Sequence, residues 1–147
     1  MHDLLTRLEG QHRFLTEIAE FADQTQTPEG AWTATQTLAH LARYHSVLLQ
    51  RIDLILSGDR PAMPRYKAET DEAWPQWRDA PLTQSLQEIA RQRARLRERL
   101  EALTTEQWSR VGVHPVIGPM TLASWLEFFL VHEAHHLYTL LVRRRLQ

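Results

Sequence analysis

At 147 residues the chain is close to the usual size of one domain, expected here to span 1–147, and is long enough to bury a core without covalent staples. Its 17 Lys and Arg against 18 Asp and Glu leave a formal charge of -1, which argues against a polyanion-binding surface over the whole protein, so nucleic acid is not an expected partner. The absence of cysteine excludes disulfides, thiolate metal sites and cysteine nucleophiles together, leaving histidines and carboxylates as the strong metal ligands.

Residues 3–24 place Leu4, Leu8, Leu15, Ile18 and Ala22 at three- and four-residue steps with Phe14 and Phe21 beside them, the pattern of an amphipathic helix that stops before Thr27-Pro28-Glu29-Gly30. A second helix opens at Thr33, where Thr33-Ala34-Thr35-Gln36 fits a capping box, and carries the apolar stripe Leu38, Leu41, Leu48, Ile52 and Ile55 as far as Ser57-Gly58. Between Gly58 and Pro81 the pattern dissolves into a Pro-rich stretch with Trp74 and Trp77. It reads as a long crossover with a short helix around Ala68 to Trp74, either packed back onto the bundle through its tryptophans or a simple spacer between helices that are not antiparallel neighbours.

The third helix is expected from Thr83 to Leu103, with Leu86, Ile89, Leu96, Leu100 and Leu103 inward and a solvated outer face from Arg91 to Arg99. After Thr104-Thr105 the run from Val111 to Pro119 is irregular, because its Gly and Pro forbid a continuous helix. The last helix starts near Thr121, carries Leu122, Trp125, Leu126, Phe129, Leu137 and Leu140, and ends in Arg143, Arg144 and Arg145, cations that suit the negative end of its dipole. The sum is an all-α four-helix bundle with a long crossover between helices two and three. No apolar run reaches the roughly 18 residues of a membrane span, and the N-terminal residues lack the regions of a signal peptide, so a cytoplasmic protein without a membrane partner is expected.

The sharpest chemical signal is His132-Glu133-Ala134-His135-His136. Residues four apart share one side of a helix, so His132 and His136 can hold one ion through two imidazoles, and both continue the inward stripe of Trp125, Phe129 and Leu140. One core histidine is most simply a neutral ring bonded to a neighbour. Two adjacent ones leave buried polar groups costing about 1–3 kcal/mol each, which a shared metal resolves at once. The same residues spell the H-E-x-x-H of zinc proteases. Against that reading, the eleven residues after His136 contain no ligand, and Glu133, about 100° around the helix from His132, should point away from the ion. A third ligand is therefore sought upstream, where the second helix offers His40 and His45. Periodicity favours His45, which lies inside the stripe, over His40 at its edge with Thr37 and Tyr44.

Three segments, Trp32-Thr33-Ala34-Thr35-Gln36-Thr37-Leu38-Ala39-His40-Leu41, then His114-Pro115-Val116-Ile117-Gly118-Pro119-Met120-Thr121-Leu122, then His132-Glu133-Ala134-His135-His136-Leu137, together resemble the DinB/YfiT-like metalloprotein superfamily over nearly the whole chain. In relatives of that superfamily, which include mycothiol-dependent maleylpyruvate isomerases, the helix-two ligand stands eight residues after the Trp that opens the helix. The resemblance thus implies His40, His132 and His136 as metal ligands, against the periodicity preference for His45, which becomes a core histidine or a group beside the site.

Of the other histidines, His135 is expected to be partly exposed or interhelical rather than a fourth ligand, His114 a turn residue held by Pro115 rather than a cover over the site, and His2 and His12 surface residues. Arg43, Arg51 and Arg65 could hold a carboxylate, although solvated arginine is the simpler expectation. Three imidazoles leave an ion its full charge and open positions. Zinc and nickel suit that set best, while manganese and iron are compatible with it. The resemblance implies a metal-dependent thiol S-transferase or isomerase that borrows a low-molecular-weight thiol as cosubstrate, or a metal-dependent hydrolase, acting on a small molecule and forming a homodimer. The competing expectation is a non-catalytic metal-binding stress-response or interaction protein.

Overall fold

A computed structural model describes residues 2–145. Four long helices dominate it: α1 (His2–Ala19), α2 (Ala34–Ser57), α4 (Leu82–Glu101) and α6 (Leu122–Arg145), with short helices α3 (Trp74–Arg78) and α5 (Thr105–Ser109) between them. A two-stranded antiparallel hairpin, β1 (Val111–His114) with β2 (Gly118–Thr121), leads directly into α6. No described helix is long and apolar enough to cross a membrane.

α2 begins where its capping box demands. The Thr33 hydroxyl accepts from the Gln36 amide at 3.0 Å, and the Gln36 side chain accepts from the Thr33 amide at 3.0 Å, satisfying donors that the first helical turn leaves free. A second capping box, Thr104 with Gln107, starts α5. α2 is buried on nearly every side, packing chiefly on α4 and α3 and also on α6, while α1 packs on α6. One apolar cluster joins Leu4, Leu48, Ile52, Leu96 and Phe129, and a second joins Leu15, Leu38, Leu41, Ile89 and Leu137.

Several sequence expectations need correction. The first helix ends at Ala19 and gives way to a 3-10 turn at Ala22–Gln24, which keeps Ala22 buried. The expected helix around Ala68 to Trp74 is a 3-10 turn at Ala68–Thr70 followed by α3, which Trp74 opens with Pro75 behind it, a position where a missing N–H costs nothing. The irregular run 111–119 is the hairpin. Its β1 also takes a parallel partner from the segment after α2: Val113 donates to the Pro61 carbonyl and accepts from the Met63 amide, both at 2.9 Å. Gly112 lies so close to α2 that a Cβ there would stand 2.8 Å from side-chain atoms of Ile55 and of Met63. Farther along, Trp74 docks beside Ala39 of α2, with Trp32, Tyr66 and Trp77 around it.

Candidate metal centre

α2 and α6 bring three histidines together. His40 Nε2 and His136 Nε2 each lie 3.2 Å from His132 Nε2, and one ring nitrogen from each residue falls within 4.8 Å of the other two. Two nitrogens bound at about 2.1 Å to one tetrahedral ion stand roughly 3.4 Å apart, so the spacing suits a shared cation. Hydrogen bonding cannot serve the cluster as well, since a neutral imidazole has a single N–H and His132 Nε2 faces two other ring nitrogens. The donor set therefore fits a divalent transition metal.

Burial keeps these rings in the form that binds metal. It lowers the His40 pKa to about 3, with the neighbouring His136 adding to the effect. His132 falls to about 2 through burial and then His136 and His40, and His136 to about 4 through burial and then His135 and Arg143. The rings are thus neutral at physiological pH. His40 Nδ1 and His132 Nδ1 are enclosed and lack a protein hydrogen-bond partner, unlike the outer nitrogen of most ligating histidines.

Aromatic rings wall the cluster. Trp32 lies 5.1 Å and Trp74 6.1 Å from the His40 ring, Tyr66 stacks on His40 at 6.0 Å, and Tyr44 lies 4.1 Å from the His132 ring. Arg143 at the end of α6 donates to the Trp32 carbonyl at 2.9 Å, holding the entrance to α2 against the helix that carries two of the histidines. These walls come from Trp32 just before the cap of α2, from the next turn after His40 and from the Pro-rich segment. Only the tryptophans of that segment left a mark in the sequence, as large apolar groups where no helix explained them.

His45 is elsewhere. It is 1 % exposed, its Nδ1 donates to the Leu41 carbonyl at 2.7 Å and its Nε2 accepts from Arg93 Nε at 2.8 Å. That pattern requires a neutral ring, in agreement with a pKa lowered to about 4 by burial despite the raising effect of Glu133. Its 3.7 Å approach to Glu133 is therefore not an ion pair. Glu133 faces away from the three clustered histidines: it takes charge-assisted bonds from Arg93, and Gln11 Nε2 at 2.5 Å. Burial alone would raise the Glu133 pKa, but Arg93 foremost, with His45 and Gln11, together outweigh it and hold the carboxylate below its ordinary range.

The remaining residues divide. His135 is exposed, its ring 5.5 Å from that of His136. His114 Nδ1 accepts from the amides of Val116 and Ile117 at 3.1 and 3.0 Å, organising the hairpin turn. Three expectations fail. His12 is half-buried rather than superficial, with an enclosed Nδ1 near Arg93 and Glu133. Arg93 sits inside the bundle, not on the solvated face of α4. Arg51 is 5 % exposed and Arg43 is paired with Asp71 at 2.6 Å, so only Arg65 of those three arginines is solvated.

Comparison with known proteins agrees with this geometry. Residues 6–140 match the sequence profile of the DinB superfamily. The chain belongs to that superfamily. It is 28% identical over 109 residues to a protein of Oceanobacillus iheyensis and 30% identical over 120 residues to YfiT of Bacillus subtilis, both provisionally named metal-dependent hydrolases. These matches take in 74% and 78% of this DinB-superfamily chain and 62% and 66% of the relatives, so the chain spans just under two thirds of their length. The solved structure of Bacillus subtilis YfiT, described as an unusual four-helix bundle topology, superposes with a TM-score of 0.83 at 26% identity, covering 98% of this chain and 85% of that one.

Proposed function

We propose that this DinB-superfamily protein is a metal-dependent enzyme in which His40, His132 and His136 hold one divalent ion, zinc or nickel before manganese or iron, and that it transfers a small-molecule thiol to an electrophilic substrate. The observation that carries the reading is the convergence of three neutral imidazole nitrogens within 4.8 Å. Bound there, the ion would supply Lewis acidity, lowering the pKa of a coordinated thiol or water and polarising a carbonyl. The residues themselves keep the ligands unprotonated, exclude water with Trp32, Trp74, Tyr44 and Tyr66, and add no negative charge to oppose an anionic nucleophile.

The choice of a thiol over water rests on how the nearby carboxylates among the described residues are engaged. Water-activating metal sites commonly recruit a carboxylate as general base, yet Glu133 is engaged by Arg93 and Gln11 and Asp71 by Arg43. A thiol, far more acidic than water, has less need of such a base. Hydrolysis is the second reading, favoured by the names of the relatives. Val131 and Tyr138, 63% and 65% exposed on the outer face of α6, support the homodimer as a further part of the proposal.

The test is turnover by metal-loaded protein against a panel of low-molecular-weight thiols with electrophiles, and of esters and amides without thiol. Thiol-dependent product formation that disappears in His132→Ala is the expected result. Hydrolysis without thiol would replace this reading with the second, and no turnover in either panel would leave a metal-binding protein without catalysis.

A further inference from the structure

Beside the histidine cluster, α2 and the segment after it enclose a cleft of about 240 Å³ whose charged lining is one-sided. Arg43, Arg51, Arg65, Lys67 and Asp71 contribute to it, and Asp71 is spoken for by the fork of Arg43 at 2.6 and 3.2 Å. Arg51, Arg65 and Lys67 have no carboxylate within ion-pairing distance among the described residues.

Arg51 is the unusual member. Its guanidinium is nine-tenths buried, donates to the Tyr44 hydroxyl at 3.0 Å and weakly to the Pro64 carbonyl at 3.3 Å, and leaves Nε without an acceptor. The Trp125 ring at 5.0 Å and the Tyr44 ring at 5.7 Å solvate the charge through their π faces. None of these partners neutralises it. A buried cation without a counterion is costly, and proteins retain one where a ligand supplies the missing charge.

We propose that this cleft is an oxyanion-binding site, in which Arg51, backed by Arg65 and Lys67, receives the carboxylate or phosphate group of a small-molecule ligand. The planar fork of an arginine matches both groups. Tyr66 forms part of the cleft wall and also stacks on His40, so the cleft and the histidine cluster share that ring as a common wall. The binding claim is independent of any metal; the role as a substrate anchor rests on the metal-dependent reading above.

The experiment uses metal-stripped full-length protein, so that an anion cannot bind through an ion. Succinate and phosphate are titrated separately at constant ionic strength in chloride, following arginine Nε–H resonances and the thermal midpoint. A saturable shift of one Nε–H resonance, absent from Arg51→Met, with a midpoint that rises alongside it, supports the site. The exposed double variant Arg65→Ser/Lys67→Ser, which disturbs no buried contact, should weaken binding by about tenfold and keeps the test sound if Arg51→Met does not fold. Preference for succinate assigns a carboxylate ligand, and preference for phosphate a phosphate ester. No saturable response to either anion, or undiminished affinity in the double variant, overturns the proposal. Metal binding by the three histidines is scored separately and can succeed or fail without deciding this one.

Discussion

Arg93 of α4 and Glu133 of α6 form an ion pair inside the bundle, with Glu133 fully enclosed and Arg93 6% exposed. The same guanidinium donates to His45 of α2 and, at 2.6 Å, to the Leu8 carbonyl of α1, while Gln11 of α1 donates to Glu133. Each long helix thus contributes one polar side chain to a single buried knot. Removing one charge leaves the other enclosed and unpaired. Arg93→Met and Glu133→Leu should each lower stability by about 3–5 kcal/mol, and the double variant should lose clearly less than their sum. Urea unfolding of the singles and the pair measures the difference; additive losses would show that the two residues do not act as a unit.

The neutral state of His45 makes folding sensitive to acid. Its folded pKa, about 4, lies below the ordinary 6.5, so between these values the unfolded chain binds a proton that the folded chain refuses. Stability should fall as pH drops from about 6.5 to 4, by on the order of 3 kcal/mol from this group. Below the ordinary carboxylate value of 4.5, protonation of Glu133, whose folded pKa is depressed, continues the loss. In His45→Gln, which keeps an acceptor for Arg93, denaturant midpoints measured across this window should fall less steeply with acid.

His40→Ala and His132→Ala should lower zinc or nickel affinity by more than the roughly 10–100-fold typical of losing an outer-shell partner. His45→Gln should bind metal normally. Elemental analysis of untagged variants, with an anomalous-scattering map of the wild type, decides between His40 and His45.

Chelation should leave the fold standing, because apolar side chains of all four long helices pack together in the two clusters independently of an ion. Far-UV circular dichroism of the stripped protein should retain its helical signal. Collapse on chelation would make the ion a structural brace.

Gly112→Ala should cost about 1–3 kcal/mol, since the new methyl meets the fully buried Ile55 and the end of Met63 at 2.8 Å. Thermal unfolding would register it as a lowered midpoint, and combined with Met63→Ala, which vacates part of the contested space, the loss should be less than the sum of the two single losses.

Apolar periodicity made the four long helices legible, since Leu38, Leu41, Leu48, Ile52 and Ile55 mark the inner face of α2 as cleanly as Leu122, Leu126, Leu137 and Leu140 mark that of α6. The buried knot was legible in principle too. Gln11 falls between Leu8 and Leu15, His45 between Leu41 and Leu48, Arg93 between Ile89 and Leu96, and Glu133 between Leu130 and Leu137, each at a position that spacing alone reserves for an apolar residue. Reading the run from Arg91 to Arg99 as a block of charge obscured that one of its members faced inward. The hairpin escaped for another reason: Pro119 and two glycines break any alternation, and its outer edge is held by Pro61 and Met63, far away in sequence. His40 stands at the rim of its helix's stripe because it serves the gap between α2 and α6 rather than the core, and periodicity measures only the core.

The segment after α2 is fastened near both of its ends, by Ala62 and Met63 against β1 and the core, and by Asp71 and Trp74 against α2. Between the fastenings lie Arg65, Tyr66 and Lys67, which line the cleft, with Tyr66 also against His40, and which carry little of the apolar core. Such a stretch behaves as an exchangeable panel. Its residues can be replaced to admit a differently shaped or charged molecule while the helices, and the three imidazoles fixed to them, stay where they are.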